Sequence, residues 1–309
     1  MKRDLVTIFD FSADEIGHLM SVAARLKSAL GARHRHDWLA GRTLAMIFEK
    51  PSLRTRVTFE TGMFQLGGHA IYLAPSDIRL GTREPPADIA RNLSQWVDGI
   101  LARTFAHSSV VELADSATVP VVNGLSDLYH PCQVLADCFT LSELRPRLAD
   151  LKIVFVGDGN NMVHSWLLAA ARLGLDFTVV CPPGYTPDPD IVERARTSGA
   201  ASVTVTDDVV AGTRGADVLY TDVWTSMGQE EETAKRLADF SGFQVDGAML
   251  ERAHRDAVVM HCLPAHRGEE ITAEVVDGPQ SVILRQAENR LHVQKAILAF
   301  LLDAEEARP

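Results

Sequence analysis

The sequence predicts an α/β protein of two domains, each with a central parallel sheet flanked by helices. A chain of 309 residues fits two domains of about 150 residues each, and 46% hydrophobic residues can supply a core for both. Apolar runs of strand length alternate along the chain with stretches in which apolar residues recur every three or four positions. Strands that alternate with helices in this way form parallel sheets.

The composition excludes several classes of protein. A net charge of −11 argues against a general nucleic-acid binder, because neutralising a phosphate backbone requires clustered Lys and Arg. The first five residues lack the apolar core of a signal peptide, and no run approaches about 18 apolar residues, so we expect a cytoplasmic protein without membrane spans. The four cysteines show no Cys-x-x-Cys spacing, so neither disulfides nor structural zinc is predicted.

The first part of the chain predicts helix, strand, helix and strand. Residues 4–30 carry one or two helices, with Ser12 as an N-cap. Residues 44–48 read as the first strand and residues 69–73 as the second. The helix between them ends at the glycine pair 67–68.

The stretch 48–60 places two arginines and three hydroxyls at the start of that helix. Ser52 is the predicted N-cap. The N–H groups of the first helical turn have no partners inside the helix, so together with Arg54 and Thr55 they form a site for a small anion. An ordinary capped helix with solvated arginines is the alternative.

Two further features of the first domain suggest ligand contacts. Residues 75–86 form a polar loop of a length that is usually functional. A helix over 86–97 follows, and the strand 99–102 leads to Arg103 at its carboxyl end, where open α/β sheets bind ligands.

The strand 119–125 is followed by His130 and Gln133 at the start of an apolar helix. One helical turn brings these two side chains to the same side, so both can donate to one carbonyl or phosphate oxygen. A histidine that only caps the helix is the alternative.

The second domain begins like a mononucleotide-binding unit, with a strand over 151–156, a glycine-containing loop over 157–161 and a helix over 162–173. A nicotinamide-dependent dehydrogenase is therefore an alternative function. Met162 stands where the dinucleotide fingerprint has its third glycine, and the next strand, 177–180, has no acidic residue at its end for a ribose.

Later strands of this domain end at Asp222 and at the pair His261 and Cys262. A charged, glycine-containing loop follows Asp222 and is typical of a mobile lid. Cys262 could be a core residue, a metal ligand or a nucleophile. Adjacent residues of a strand point to opposite faces, so no metal shared by His261 and Cys262 is expected.

Taken together, these motifs resemble those of the aspartate and ornithine carbamoyltransferases, and of the ornithine branch in particular. They occur in the family's order, namely residues 52–60, 103–104, 130–133, 157–161, 222–228, 261–268 and 286–290. The resemblance implies an enzyme of arginine metabolism and amino-acid biosynthesis. It would join carbamoyl phosphate and L-ornithine to give L-citrulline and phosphate, with no cofactor, metal or covalent intermediate. A non-catalytic paralogue is the other alternative.

The resemblance also assigns residues to roles. Four catalytic residues are implied, namely Arg103, His130, Asp222 and Cys262. Carbamoyl phosphate would be bound by Ser52, Leu53, Arg54, Thr55, Arg79, Arg103, His130, Gln133, Cys262, Leu263 and Arg290. Ornithine would be bound by Asn161, Asp222, Ser226 and Met227.

Assembly and domain limits follow from the same resemblance. It implies a homotrimer in which Arg79 reaches the active site of a neighbouring subunit. Leu53 departs from the family, which commonly has Thr there, so one hydroxyl donor is lost while the backbone N–H remains. The carbamoyl phosphate-binding domain is expected over 1–145 and 280–309, and the L-ornithine-binding domain over 146–279.

Overall fold

Nine strands in two wholly parallel sheets organise the chain, in a computed structural model that describes residues 2–199, 201–226 and 228–308. The predicted α/β fold with two parallel sheets is confirmed. The chain divides into two units, of which the first comprises 1–139 with 288–309 and the second comprises 140–287.

The strands are numbered in chain order. The first unit holds β1 (Thr43–Phe48), β2 (His69–Leu73), β3 (Gly99–Arg103) and β4 (Val121–Leu125). The second unit holds β5 (Lys152–Val156), β6 (Asp176–Val180), β7 (Ser202–Thr206), β8 (Val218–Thr221) and β9 (Val258–His261).

The helices lie between the strands. The chain carries α1 (Ala13–Gly31), α2 (Leu53–Gln65), α3 (Pro75–Ile78), α4 (Pro86–Leu93), α5 (His107–Ser116), α6 (Pro131–Leu144), α7 (Asn161–Leu173), α8 (Pro189–Thr197), α9 (Val209–Thr213), α10 (Thr233–Asp239), α11 (Gly247–Arg252), α12 (Ala273–Val276) and α13 (Ile283–Leu301). Short 3-10 turns occur at Ile8–Asp10, Leu148–Asp150, Glu230–Glu232 and Glu305–Ala307. Among the described residues, no helix combines the length and apolar composition that crossing a membrane requires.

Several elements differ from their predicted limits. Helix α4 ends at Leu93 rather than at residue 97, β4 begins at Val121 rather than at residue 119, and α7 begins at Asn161 rather than at residue 162. The loop predicted over 75–86 also contains the short helix α3. The differences in limits lie at element ends, where local pattern is weakest because capping and packing decide the last turn. None of them removes a predicted strand.

Each sheet has a point at which the strand order reverses. In the first sheet, ordered β2-β1-β3-β4, this point lies between β1 and β3. In the second sheet, ordered β7-β6-β5-β8-β9, it lies between β5 and β8. Ligands of open α/β sheets bind outside the carboxyl ends of the strands at such points. The fold therefore marks one candidate binding edge in each unit.

Candidate active site

In the first unit, the anion stretch follows β1 at the reversal point. Ser52 is the N-cap of α2, as predicted, and its Oγ accepts a hydrogen bond from the Thr55 N–H at 3.2 Å. Leu53 is exposed and its backbone N–H belongs to the first turn. Because the dipole of α2 is positive at this end, the turn favours an anion.

The two arginines of that turn differ. Arg56 is exposed and donates to Glu60 Oε2 at 3.2 Å, and its guanidinium carbon lies 3.7 Å from the Tyr72 ring centroid. Arg54 is only partly exposed, and its charge acts on the buried His130. Arg54 is thus the arginine of the pair that faces the predicted site.

Three cations of the first unit meet at His130. Burial lowers the pKa of His130 well below its usual value, and the charges of Arg290, Arg103 and Arg54 lower that pKa further. The imidazole is therefore neutral at pH 7, surrounded by permanent positive charge. The cluster takes one residue from each of four places in the fold: Arg103 from the end of β3, Arg54 from the first turn of α2, His130 from the position before α6, and Arg290 from α13.

The remaining predicted groups of this unit connect to the same cluster. Arg290 donates to Thr55 Oγ1 at 2.9 Å, and both residues are buried. Gln133 is also buried, and its Nε2 donates to Asp137 Oδ1 at 2.9 Å, which directs the amide oxygen elsewhere. The amide NH₂ group of Gln133, which was predicted to donate to a ligand, therefore donates within the protein.

Glu49 is a residue that the motif reading missed. Its backbone N–H donates to the Arg103 carbonyl at 2.9 Å, and its carboxylate accepts from the Phe105 N–H at 2.8 Å. Glu49 thus connects the end of β1 with the residues that follow β3. These bonds fix the backbone on which Arg103 is carried.

Arg79 lies apart from this cluster in the described chain. It is an exposed residue at the C-terminal end of α3 with a left-handed backbone (φ 49°). Its charge is not among the three that lower the pKa of His130. Its carbonyl accepts from the side chain and backbone of Thr82. The guanidinium is left at the surface of its unit.

In the second unit, the loops after β5 and β8 meet at Asp222, which is buried. Asp222 Oδ1 accepts from Cys262 Sγ at 2.9 Å and from the Val223 N–H at 2.8 Å. Its Oδ2 accepts from Asn160 Nδ2 at 3.0 Å. The carboxylate is thereby oriented by neutral donors and offers an acceptor to a cation or an amine.

Asn160 is a second residue that the sequence reading missed, since Asn161 was assigned instead. Asn160 is the N-cap of α7, and its Oδ1 accepts from the N–H groups of Met162 and Val163. Asn161 is the first residue of the helix and is partly exposed. The sequence analysis began this helix at residue 162, whereas α7 begins at Asn161. With that start, the preference of Asn for N-cap positions would have indicated Asn160.

The loop over 157–160 requires its glycine. A Cβ on Gly159 would lie 2.2 Å from the backbone nitrogen of Pro187, so no side chain fits there. The close approach of these two backbones holds Asn160 in place beside α7. Gly159 therefore has a packing reason apart from any phosphate-binding role.

Arg236 connects the two loops and was also missed. Its Nη1 donates to Asp158 Oδ2 at 2.8 Å and to the Trp224 carbonyl at 2.9 Å, and its Nε donates to Glu232 Oε2 at 2.9 Å. The arginine and Asp158 are both nearly buried. A buried pair of this kind fixes the loops that carry Asn160 and Asp222.

The expectation that His261 and Cys262 point to opposite faces is wrong. One ligand-type atom from each of these residues and one from Asp222 lie within 4.8 Å of one another. The strand ends at His261, and Leu263 has a left-handed backbone (φ 64°), so strand alternation stops at this point. Cys262 and Leu263 both lie in the second unit.

The three other cysteines are buried core residues. Burial raises the pKa of Cys132 to about 12 and that of Cys181 to about 11, and it raises the pKa of Cys138 still more. Cys262 is partly exposed. The thiol available for chemistry in the described chain is therefore that of Cys262.

The predicted ornithine-contacting loop is only partly described. Ser226 is partly exposed, and its backbone N–H donates to Gln229 Oε1 at 3.1 Å. Met227 lies outside the described residues. Ser226 lies two residues after Trp224, whose carbonyl accepts a hydrogen bond from Arg236.

Comparison with known proteins identifies the family. The model of the aspartate/ornithine carbamoyltransferase carbamoyl-P binding domain matches residues 3–143, and that of the Asp/Orn binding domain matches residues 149–301. The chain belongs to the aspartate/ornithine carbamoyltransferase family. It is accordingly a transferase enzyme of the carbamoyltransferase class.

Several relatives of the family are similar over nearly their whole length. The ornithine carbamoyltransferase of Methanoculleus marisnigri is 52% identical over 302 residues, which cover 98% of this chain and 97% of the relative. That of Oceanobacillus iheyensis is 50% identical over 303 residues, covering 97% and 94%. The solved ornithine carbamoyltransferase from Pyrococcus furiosus has a TM-score of 0.94 and 49% identity, with 96% of each chain covered. These similarities support a carbamoyltransferase over a nicotinamide-dependent dehydrogenase or a non-catalytic paralogue.

Proposed function

We propose that this chain transfers the carbamoyl group of carbamoyl phosphate to L-ornithine, giving L-citrulline and phosphate. It acts as an ornithine carbamoyltransferase. The observation that carries the proposal is the pairing of Asp222 with Cys262 at the reversal point of the second sheet, within a chain whose relatives match from end to end. A carboxylate held by neutral donors suits a substrate amine, whereas it would repel a second anion.

The first unit binds carbamoyl phosphate in this proposal. The phosphate accepts from Ser52, from the backbone N–H of Leu53, and from Arg54 and Thr55. The carbonyl oxygen accepts from Arg103, from Arg290 and from the neutral His130. These donors are fixed before the substrate arrives, so they stabilise the charge that develops on the oxygen without reorganising.

Gln133 contributes an acceptor for carbamoyl phosphate, in addition to the donors above. Since its Nε2 donates to Asp137, its buried Oε1 faces away as an acceptor. The carbamoyl NH₂ group needs acceptors, and the amide oxygen of Gln133 serves as one.

The second unit binds the amino acid. Asn161, Ser226 and Met227 hold the α-substituents of L-ornithine, and Asp222 with Cys262 holds the side-chain amine. The carbonyl of Leu263 contacts the carbamoyl NH₂ group. The domain limits of the proposal remain 1–145 with 280–309, and 146–279.

The reaction is a direct displacement. An alkylammonium has a pKa of about 10.4 in water, so it loses a proton to the Asp222 and Cys262 pair before its nitrogen attacks. The C–N bond forms at the carbamoyl carbon, the bond from that carbon to the phosphate oxygen breaks, and phosphate leaves with the electron pair. The attacking nitrogen gives up its second proton to the departing phosphate, which leaves as hydrogen phosphate. Neither a cofactor nor a covalent intermediate takes part.

The proposal includes a homotrimer in the cytoplasm. Arg79 would donate to the phosphate in the active site of a neighbouring subunit, which accounts for its position at the surface of its own unit. The carbamoyl phosphate sites are then complete only in the assembly.

Citrulline formation from carbamoyl phosphate tests the function directly. L-ornithine, putrescine, N-acetylornithine and aspartate are compared as acceptors at equal concentration. We expect product with L-ornithine alone. Folded protein that forms product with none of the four contradicts the proposal, and product with another acceptor corrects the assignment of the ornithine-binding residues.

A further inference from the structure

The last residue of β9 is a buried histidine that the proposed reaction does not use. The side chains of His261 and Glu270 are fully buried, and His261 Nε2 lies 3.0 Å from Glu270 Oε1. On the other side of the ring, His261 Nδ1 accepts from the Leu263 N–H at 2.8 Å. Both nitrogens of the imidazole are therefore engaged within the protein.

These bonds define the tautomer of the ring. A nitrogen that accepts a backbone N–H carries no proton, so the single proton of the neutral imidazole is on Nε2. Nε2 then donates to Glu270 Oε1, which also accepts from the His266 N–H at 2.6 Å. With no lone pair free on either nitrogen, His261 is not available as a metal ligand beside Cys262.

The bond from Leu263 matters because its backbone is in the left-handed region, with φ at 64°. A branched side chain such as leucine is disfavoured there, so the conformation needs an interaction that compensates for the cost. The N–H bond to His261 Nδ1 supplies one. Cys262 lies between the two bonded residues, and its Sγ is 2.9 Å from Asp222 Oδ1.

We propose that His261 is a positioning residue: its neutral ring, oriented by Glu270, fixes the left-handed turn at Leu263 and thereby directs the Cys262 thiol at Asp222. The inference rests on the proposed function, in which Cys262 and Asp222 hold the substrate amine. His261 itself does not touch the substrate. It acts on catalysis through the orientation of its neighbour.

Two substitutions separate the two sides of the ring. His261→Asn retains an acceptor at the position of Nδ1 and loses the donor to Glu270, whereas His261→Gln retains a donor near Nε2 and loses the acceptor for Leu263. Each variant breaks one bond of the same buried side chain, so a purely structural role predicts similar losses in both. A positioning role predicts that His261→Gln alone disturbs Cys262.

The chain offers a matched control at His254. Its Nδ1 accepts from the N–H of Asp256, two residues later, at 3.3 Å. This is the same pattern as the bond from Leu263 to His261, but His254 is exposed. His254→Asn and His254→Gln should both behave as the parent. They test whether a histidine turn of this kind matters by itself.

The first readout is independent of activity. N-ethylmaleimide alkylation, followed by intact mass, reports Cys262 because the other three cysteines are buried. We expect the alkylation rate of His261→Gln to change by about tenfold, since one hydrogen bond holds the turn. His261→Asn should stay near the parent rate.

The second readout is kinetic. We expect His261→Gln to lower kcat/KM for L-ornithine by about 10²-fold, because small misplacements of reacting groups have effects of that size. The KM for carbamoyl phosphate should change far less. His261→Asn should retain most of the activity.

A larger change in folded His261→Gln than in His261→Asn, seen in thiol reactivity and in turnover with L-ornithine, supports the proposal. Equal losses overturn it, as does a His261→Gln protein that matches the parent. If the parent forms no citrulline, the proposed function fails, but the alkylation rates still decide whether His261 orients Cys262. The two failures are therefore distinguishable.

Discussion

The binding edges of the two units are built on opposite electrostatic principles. At the edge of the first unit, Arg54, Arg103 and Arg290 surround a histidine that their charge and its burial keep neutral. At the edge of the second unit, the carboxylate of Asp222 accepts its hydrogen bonds from neutral donors. The first arrangement suits a substrate with two negative charges, and the second suits a cation or an amine. Local charge, rather than the net charge of −11, thus decides which ligand each edge attracts.

Two buried histidines, one at the edge of each unit, show the same contrast. His130 is neutral because burial and three neighbouring arginines oppose its protonation. His261 is neutral because a backbone N–H occupies one nitrogen while the other donates to Glu270. In the first unit charge sets the protonation state, and in the second unit hydrogen bonding sets it. Substitutions should therefore act through charge in one unit and through orientation in the other.

Asp222→Asn is the substitution with the largest expected effect. It removes the proton acceptor but leaves a side chain of the same shape, so kcat should fall by about 10²–10⁴-fold. Cys262→Ser should lower kcat less, because the hydroxyl can still donate to the carboxylate. Steady-state kinetics with L-ornithine and a titration of carbamoyl phosphate measure the two effects separately.

The control for this pair is Asp207→Asn, which removes an exposed carboxylate of the same unit. It should leave kcat near the parent value, and carbamoyl phosphate affinity should persist in all three variants. Turnover that persists in both Asp222→Asn and Cys262→Ser contradicts the role of this pair as proton acceptor.

The two arginines of the α2 turn provide the matching test in the first unit. Arg54→Gln removes a charge that faces His130, so kcat/KM for carbamoyl phosphate should fall by about 10²–10³-fold. Arg56→Gln removes an exposed charge that is already paired with Glu60, and it should change the same ratio by no more than about twofold. Initial rates at limiting carbamoyl phosphate measure both variants. Equal effects of the two substitutions would mean that the turn attracts the anion through general charge rather than through Arg54.

The sequence was sufficient for the framework of each edge. Apolar runs predicted the strands, capping preference predicted Ser52, and position after a strand predicted Arg103 and Asp222. These features depend on local pattern and on the rule that parallel strands align their carboxyl ends. They determine which loops meet, and so they determine the candidate site residues in outline.

The sequence did not determine which atoms bond across those loops. Arg236 and Asp158 are 78 residues apart, and Asn160 and Asp222 are 62 residues apart, so no local pattern records either contact. The orientation of Cys262 was predicted wrongly because the rule of alternating faces was applied beyond the last residue of β9. Where a strand ends and a left-handed residue follows, side-chain direction depends on the turn.

The smallest expected effect concerns another buried cation of the first unit, Lys295. It lies on α13, and its Nζ is 3.0 Å from His36 Nε2 and 2.9 Å from Gln65 Oε1. Burial lowers the pKa of Lys295 from its ordinary 10.5 to about 8. Unlike Arg54, this cation has no place in the proposed site, so its influence should appear in stability and leave substrate binding unchanged.

The direction of the pH dependence follows from proton binding. Below pH 8 both the folded and the unfolded chain carry the Lys295 proton, and the folded chain bears the cost of the buried charge. Between pH 8 and 10.5 the unfolded chain binds more protons than the folded chain, so the Lys295 contribution to the free energy of unfolding rises with pH.

Lys295→Met removes this contribution. The difference in unfolding free energy between parent and variant should therefore shift by about 3 kcal/mol in favour of the parent from pH 7 to pH 10.5. Urea unfolding at a series of pH values measures that difference, in which other titrating groups cancel. Lys235→Met is the control. Lys235 is exposed, and its hydrogen bond to Asp239 raises its pKa from 10.5 to about 12. Both the folded and the unfolded chain therefore keep this proton up to about pH 10, and no such shift is expected there. If the Lys295→Met difference stays constant with pH, the pKa of the Lys295 amine is the same in the folded and the unfolded chain, and burial does not act on this charge. The contrast with the site arginines would then be lost, because Lys295 would behave as a hydrated cation.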